Sequence, residues 1–271
     1  MIESQELWLL IPLLLVTGAF AGVLAGLLGV GGGIVIVPIL FHLLTGFGLD
    51  TSLAMPLAVG TSLSTIVLTS IVSARNHYAK GGVDMMLVKG WVVPVLFGVV
   101  IGSLAPSVVD GAQVKTVFGF MLVAVSLHML ASSRWDLRLF KALPGRPQQA
   151  FLATLVGGFS ALLGIGGGTM MVPLLTLFAF PIHRAVSTAS VFGLIISVPA
   201  TVVYVANGWG TPGMPPLTTG YVNWAIFAIL VPMTMWSAPQ GVKLAYKLNV
   251  PHLKRAFALF LCLVGLKMVL A

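Results

Sequence analysis

The chain has 271 residues, 58% hydrophobic and only 7% charged, with a mean hydropathy of +1.08. A soluble domain carries about 25% charged residues, so there is too little charge here to coat a water-facing surface. The net charge of +8 reads as loop charge that orients a membrane protein, and no basic face of the kind nucleic acid needs is visible. Cys262 stands alone in an apolar run, which excludes a disulfide framework and a thiolate metal site and leaves it as a small buried hydrophobe.

The N-terminus carries Glu3 and Glu6 before any Lys or Arg, so the positive region of a cleaved signal peptide is missing. The first apolar run, 7–28, meets the roughly 20 residues a crossing requires. Further runs follow at 34–47, 53–74, 86–105 and 113–131, then a polar linker at 132–147. A second set lies at 148–163, 169–182, 186–206, 220–238 and 253–270. Runs 34–47 and 169–182 are short for a full crossing. Each follows a glycine triplet, which predicts a helical hairpin broken at glycine.

The two triplets belong to near-copies of one signature, Leu28-Gly29-Val30-Gly31-Gly32-Gly33 and Leu163-Gly164-Ile165-Gly166-Gly167-Gly168, 135 positions apart. Each runs on to Val-Pro, at Val37-Pro38 and Val172-Pro173. Glycine costs about 1 kcal/mol against alanine in a helix, so triplets inside apolar sequence mark a broken backbone. In lipid such a break survives only where protein buries it or where it lines a cavity. Paired breaks in corresponding halves point to a transporter's binding site. The likeness goes further. Ala58-Val59-Gly60-Thr61 matches Ala185-Val186-Ser187-Thr188, and Val83-Asp84 matches Val222-Asn223. At that last offset of 139, Lys115, Phe118, Leu122, Val125, Leu127 and Met129 recur as Lys254, Phe257, Leu261, Val264, Leu266 and Met268. The expected organisation is a first transmembrane repeat at 1–131, a basic linker at 132–147 and a second repeat at 148–271.

Positive charge then orients the halves. Arg75, Lys80 and Lys89 border the third and fourth runs, and Arg134, Arg138, Lys141 and Arg146 fill the linker. Arg184 lies in a short turn, and Lys243, Lys247, Lys254 and Arg255 cluster between the last two runs. Turns 47–53, 106–112 and 207–219 carry none. Corresponding loops thus fall on opposite sides, which predicts an all-α polytopic membrane protein of two inverted-topology repeats, its linker inside and both ends outside. Lys115 and Lys267 are the exceptions.

The blocks Gly-Leu-Leu-Gly-Val-Gly-Gly-Gly-Ile-Val-Ile-Val-Pro (26–38) and Ala-Leu-Leu-Gly-Ile-Gly-Gly-Gly-Thr-Met-Met-Val-Pro (161–173), with Ala-Val-Gly-Thr-Ser (58–62), resemble the TauE/SafE family of sulfite and sulfonate transporters over nearly the whole chain. The resemblance implies a multi-pass protein of the bacterial inner membrane that moves a small sulfur-containing or related anion, in export or uptake. The second threonine block departs from the first, since Ala189 replaces Ser62; two equivalent half-sites are not expected.

An anion with three oxygens suits backbone N–H groups at helix N-termini, where the dipole adds about half a positive charge. The candidate substrate-binding residues are therefore Gly31, Gly32, Gly33, Thr61 and Ser62 in one half and Gly166, Gly167, Gly168, Thr188 and Ser190 in the other. Glycine for close helix packing is the competing explanation. Arg75 reads mainly as a topology signal, and His42 and His128 as hydrogen-bonded structural histidines. Trp236 and Gln240 are candidates for a cavity wall, while Trp91, Trp209, Trp224 and Tyr221 suit interfacial belts. No His-Glu-x-x-His or Gly-x-Ser-x-Gly occurs, and Gly33 is followed by Ile34-Val35, not the Lys-Ser/Thr of a phosphate loop. No catalytic residue, cofactor or metal is expected. The partners expected are the anion and the bilayer, with a homo-oligomer left open. An anion channel or a structural subunit of a larger complex is the alternative function.

Overall fold

A computed structural model describes residues 4–29, 31–132, 140, 142–247 and 251–270, with side chains omitted at 4–10, 28, 132, 246 and 251–257. Ten α-helices follow in order: α1 Ser4–Leu28, α2 Gly33–Gly46, α3 Thr51–Ala79, α4 Met85–Leu104, α5 Gly111–Ser132, α6 Arg146–Leu163, α7 Gly168–Leu177, α8 Ile182–Asn207, α9 Trp224–Lys247 and α10 Pro251–Leu270. A 3-10 turn, Ala105–Ser107, extends α4. The chain is thus an all-α polytopic membrane protein. Helices α3, α4 with its turn, α5, α8 and α9 are long and apolar enough to cross a bilayer. Arg134, Arg138 and Lys141 of the expected linker lie outside the described residues, as do the side chains of Lys254 and Arg255.

Where helices begin, polar side chains take up their first N–H groups. Asp50 accepts from Ser52 N–H at 2.8 Å to start α3. The Ser52 hydroxyl and that N–H hold the Asp50 carboxyl below the usual carboxylate range. Asp84 accepts from Met86 and Leu87 N–H to start α4. Asn223 accepts from Ile226 N–H at 3.0 Å to start α9. Just before α9 lies a departure from the all-α expectation. Thr218–Thr219 and Val222–Asn223 pair antiparallel, where hydropathy alone had extended an apolar run. The Asn223 amide anchors this hairpin by donating to Pro216 O and Thr218 Oγ1.

Polar residues also lengthen α3 and α9 beyond their apolar runs, to Ala79 and Lys247. Helix propensity of Asn, Arg, Gln and Lys outside the bilayer is adequate for this. In contrast α7 ends at Leu177, five residues before run 169–182 does.

Packing is paired in a way that follows the repeat. Helix α1 lies along α9 and α4 along α6, while α3 crosses α8 and α5 runs against α10. Small residues make these contacts. A Cβ on Gly22 would collide with Thr234 and Ser237, and one on Gly241 with the Val23 carbonyl. At offset-related positions, a Cβ on Gly157 would collide with the Val95 carbonyl and one on Gly102 with the Gly158 carbonyl. Between α5 and α10, Gly119 and Gly265 approach through backbone, and Ser126 Oγ donates to Ala258 O at 2.7 Å. Lipid offers no hydrophobic drive between helices, so such close backbone packing is what holds them. Gly241→Leu should accordingly destabilise the purified protein by at least the roughly 1–3 kcal/mol typical of overpacking, read as a lower melting temperature. Gly90→Leu, where a Cβ meets open space, should leave it unchanged, as followed by thermal unfolding in detergent.

Candidate functional site: two crossed glycine breaks

Helices α1 and α2 are separated by the first glycine signature, α6 and α7 by the second. Gly29 has φ 67° and Gly164 also φ 67°; two residues on, Gly31 and Gly166 have φ 74° and 65°. These left-handed positions reverse the chain and are open to glycine at no steric cost. The match stops at the third glycine. Gly32 takes φ 84° while Gly167 takes φ −66°, so the two breaks are similar without being copies.

Each break is seated on the other half's threonine-bearing helix. A Cβ on Gly29 would stand 2.5 Å from the Val186 carbonyl of α8, and one on Gly164 would stand 2.9 Å from Val59 Cγ1 of α3. The breaks also touch each other, since a Cβ on Gly33 would strike the Gly164 carbonyl. Gly31 lies against Ile66 of α3 and Gly167 against Phe192 of α8. All six candidate glycines are buried. The first turns of α2 and α7 thus begin inside the protein, with N–H groups outside their own helical ladder.

The candidate hydroxyls are buried around the same crossing, but most are committed. Ser62 Oγ donates to Gly164 O at 2.9 Å, tying α3 to the second break. Ser190 Oγ donates within its own turn to Ser187 O. Thr61 Oγ1 accepts from Asn223 N–H at 3.0 Å, and Thr188 Oγ1 accepts from Asp84 N–H at 2.9 Å. Each threonine therefore pins the start of a helix in the other half, α9 for Thr61 and α4 for Thr188, and the two bonds are related by the repeat. Their oxygens face these caps, leaving each hydroxyl hydrogen to point elsewhere.

Two hydroxyls that motif reading passed over stand differently. Ser160 Oγ and Ser197 Oγ are fully buried and have no hydrogen-bond partner among the described residues. Ser160 lies in the last turn of α6 before the second break, where its carbonyl accepts from Ile165 N–H. Ser197 follows Ile196, whose side chain packs on Gly167. A buried hydroxyl without a partner is costly, so these two stand out from their bonded neighbours. Nothing in a serine's immediate sequence distinguishes it from its bonded neighbours, which is why the pattern did not reveal them.

The remaining candidates sit away from the crossing. His42 bonds Pro38 O through Nδ1 at 2.8 Å. With Leu13, Phe260 and Lys267 it lines a cavity of about 600 Å³ between α1, α2 and α10, whose walls are apolar and suit lipid more than an anion. Trp236 is 64% exposed and so faces outward instead of walling a cavity. Trp91 is buried and its Nε1 donates to Gln149 Oε1 at 2.9 Å, so it joins α4 to α6 and is not part of a belt. Trp209 and Trp224 are exposed, as belt residues are. Arg75 is exposed. Among the described residues no cluster of His, Cys, Asp and Glu gathers as metal ligands would.

Apolar spanning helices, wrapped around buried backbone breaks, define a multi-pass membrane transporter. Residues 14–268 match the family model described as Sulfite exporter TauE/SafE, and the chain belongs to that family. It is 34% identical to a probable membrane transporter protein of Haemophilus influenzae, over 96% of this chain and 98% of that one. A probable membrane transporter protein of Methanocaldococcus jannaschii is 30% identical, over 98% and 97% of the two chains. The probable membrane transporter protein YunE of Bacillus subtilis is 27% identical, over 95% and 96%. No solved structure matches the chain.

Removing the threonine hydroxyls should first cost stability. Thr61→Val strands the buried Asn223 N–H and Thr188→Val strands that of Asp84, each worth about 1–3 kcal/mol. Denaturant or thermal unfolding should show both losses, while Thr→Ser at either position restores most of each.

Proposed function

We propose that this chain is a secondary transporter that carries a small anion such as sulfite, an organosulfonate or a related sulfur or carboxylate anion, and that it is not an enzyme. The observation that carries this reading is the crossing of the two breaks. Two helix N-termini, α2 and α7, begin in buried glycine backbone beside unpartnered Ser160 and Ser197. Partial positive charge and open donors together suit a compact anion. Gly31, Gly32 and Gly33 with Gly166, Gly167 and Gly168 supply backbone approach. Thr61, Ser62, Thr188 and Ser190 shape the wall and hold its parts in register.

We infer also that the halves, 1–131 and 148–271, are inverted-topology repeats with the basic linker 132–147 on the cytoplasmic side of a bacterial inner membrane. The exchange of partners supports it: α1 against α9 reappears as α6 against α4, as a twofold axis in the membrane plane would require. Such a pair can rock about the crossing, exposing it to either side. An anion channel would use the same breaks, and the two are separated by saturation and counterflow.

Purified protein in liposomes should take up labelled sulfite or a sulfonate saturably, with competition by anions and none by cations or neutral solutes. Ser160→Ala and Ser197→Ala, which strand no described partner, should each weaken apparent affinity by about tenfold or more, on the order of the 1.5–3 kcal/mol of a hydrogen bond to charge, with unchanged melting temperature. Normal affinity in both would move the anion away from the second break.

Topology is tested separately. With Cys262 replaced by alanine, cysteines at Asp110 and Thr211 should react with an impermeant reagent in intact cells, and one at Arg138 only after permeabilisation. Reaction at 138 in intact cells would exclude the inverted arrangement.

A further inference from the structure

Two seams lie behind the short helices that follow the breaks, one beside α2 and one beside α7. By the 135-position offset, Leu13, His42 and Leu43 correspond to Gln148, Leu177 and Phe178. At the second seam the chain supplies an occupant of its own. Phe140 of the linker donates its N–H to Leu177 O at 3.0 Å and stacks its ring on Phe178, with centroids 4.9 Å apart. At the first seam the corresponding residues, His42 and Leu43, face the cavity of about 600 Å³ between α1, α2 and α10. Among the described residues no counterpart of Phe140 enters it.

The cavity has the size of a ligand site, roughly 300–1,000 Å³, and is too large for a packing defect. Apart from His42 and Lys267 its walls are apolar or glycine. Leu13 and Phe47 among them are 48% and 40% exposed, so the recess opens on the surface of the bundle, where lipid lies. Water finds few partners against such walls, whereas hydrocarbon supplies the dispersion contacts they lack.

Charge selects the head of the molecule that fills it. Lys267 lines the cavity and is itself exposed, so it stands where the recess meets the surface. It lies in the last turn of α10. A helix dipole favours a lysine there, but does not account for the apolar recess beside it. With Lys115 it is also one of the two lysines that the loop-charge pattern leaves over. Helix α5 runs antiparallel to α10, Gly119 meeting Gly265 and Met268 while Ser126 meets Ala258. Lys115 therefore comes level with the C-terminal end of α10, and both cations belong to one end of one helix pair. Lysines near helix ends reach the headgroup layer along their apolar stems. The Nδ1 of His42 bonds Pro38 O, and a carbonyl only accepts, so in the neutral ring Nε2 is an acceptor for a headgroup hydroxyl.

We propose that this cavity binds one anionic phospholipid, an acyl chain lying between α2 and α10 and the phosphate held by Lys267. The lipid does at the first seam what Phe140 does at the second. It supports the far side of a short helix whose other side rests on the next long one, α2 on α3 as α7 on α8. The proposal needs only the bilayer and stands whatever anion the protein carries.

Native mass spectrometry of the full chain in neutral detergent reads the site. The wild type should hold its first phosphatidylglycerol roughly fivefold more tightly than phosphatidylcholine of the same chains, as one lysine near a phosphate implies. Lys267→Gln should bring phosphatidylglycerol down to the level of phosphatidylcholine, while Lys89→Gln, exposed on α4, should change neither. Val264→Trp fills the recess and should weaken both lipids. Leu43→Trp, on the α2 wall, serves the same purpose if that variant does not fold. Phosphatidylglycerol should raise the melting temperature of the wild type more than that of Lys267→Gln, since a ligand of the folded state stabilises it. Equal retention of the two lipids by the wild type, a preference kept in Lys267→Gln, or unchanged binding in a folded tryptophan variant would each overturn the proposal. Displacement of the lipid by inorganic phosphate would also overturn it, by making the head the whole ligand. A dimer that forms as lipid is stripped, and is lost in Val264→Trp, would give the seam to a second copy instead.

Discussion

Backbone meeting backbone at the glycine breaks is the constraint from which the rest of the structure follows. Gly29 lies under the Val186 carbonyl, Gly164 under Val59, and Gly33 against the Gly164 carbonyl. No side chain fits between these strands of main chain. Because each break rests on a helix from the other half, α3 and α8 must cross at the centre, which places Thr61 and Thr188 beside the caps they pin. Those pins set where α4 and α9 begin, and the glycine faces of α4 and α9 then settle against α6 and α1. Few of these contacts depend on apolar burial, which is consistent with a solvent as apolar as the side chains themselves.

Chemistry diverges where geometry repeats. At one end of the crossing the pinned cap is Asp84, joined to Arg184, and the buried ring is His77. At the other the pinned cap is Asn223, Leu57 stands where Arg184 would, and the buried ring is Tyr204. Charge is thus concentrated at one end within a frame that is otherwise nearly twofold. An imidazole or an ion pair responds to pH and to salt; an amide and a phenol do not.

Much of this was legible in the residues. The glycine signatures announced both breaks, and their 135-position offset, carried further along the structure, also relates Gly22 to Gly157 at the α1–α9 and α4–α6 contacts, which the sequence reading had not named. The Val83-Asp84 and Val222-Asn223 match already contained both caps. What stayed hidden depended on tertiary contact. Nothing local says that Thr61 accepts a bond from Asn223, 162 positions away, or that Ser160 lacks a partner while Ser62 has one. His77 was missed because hydropathy ends the third run at residue 74, while the helix continues to Ala79 and carries the ring back into the protein. Trp91 misled for a related reason. Its position near a run's end suits an interface, but Gln149 draws it into the α4–α6 seam.

The pairing of α1 with α9 has a consequence for how the chain is made. Helix α1 precedes the helix that fills its glycine face by more than 190 residues, by the numbering of the two elements. The contacts of Gly22 and Gly26 with α9, and of Gly29 with α8, can form only once those later helices are made. Helix α6, by contrast, finds α4 already in place. Among the paired helices, α1 thus has the longest wait for its partner in the order of synthesis.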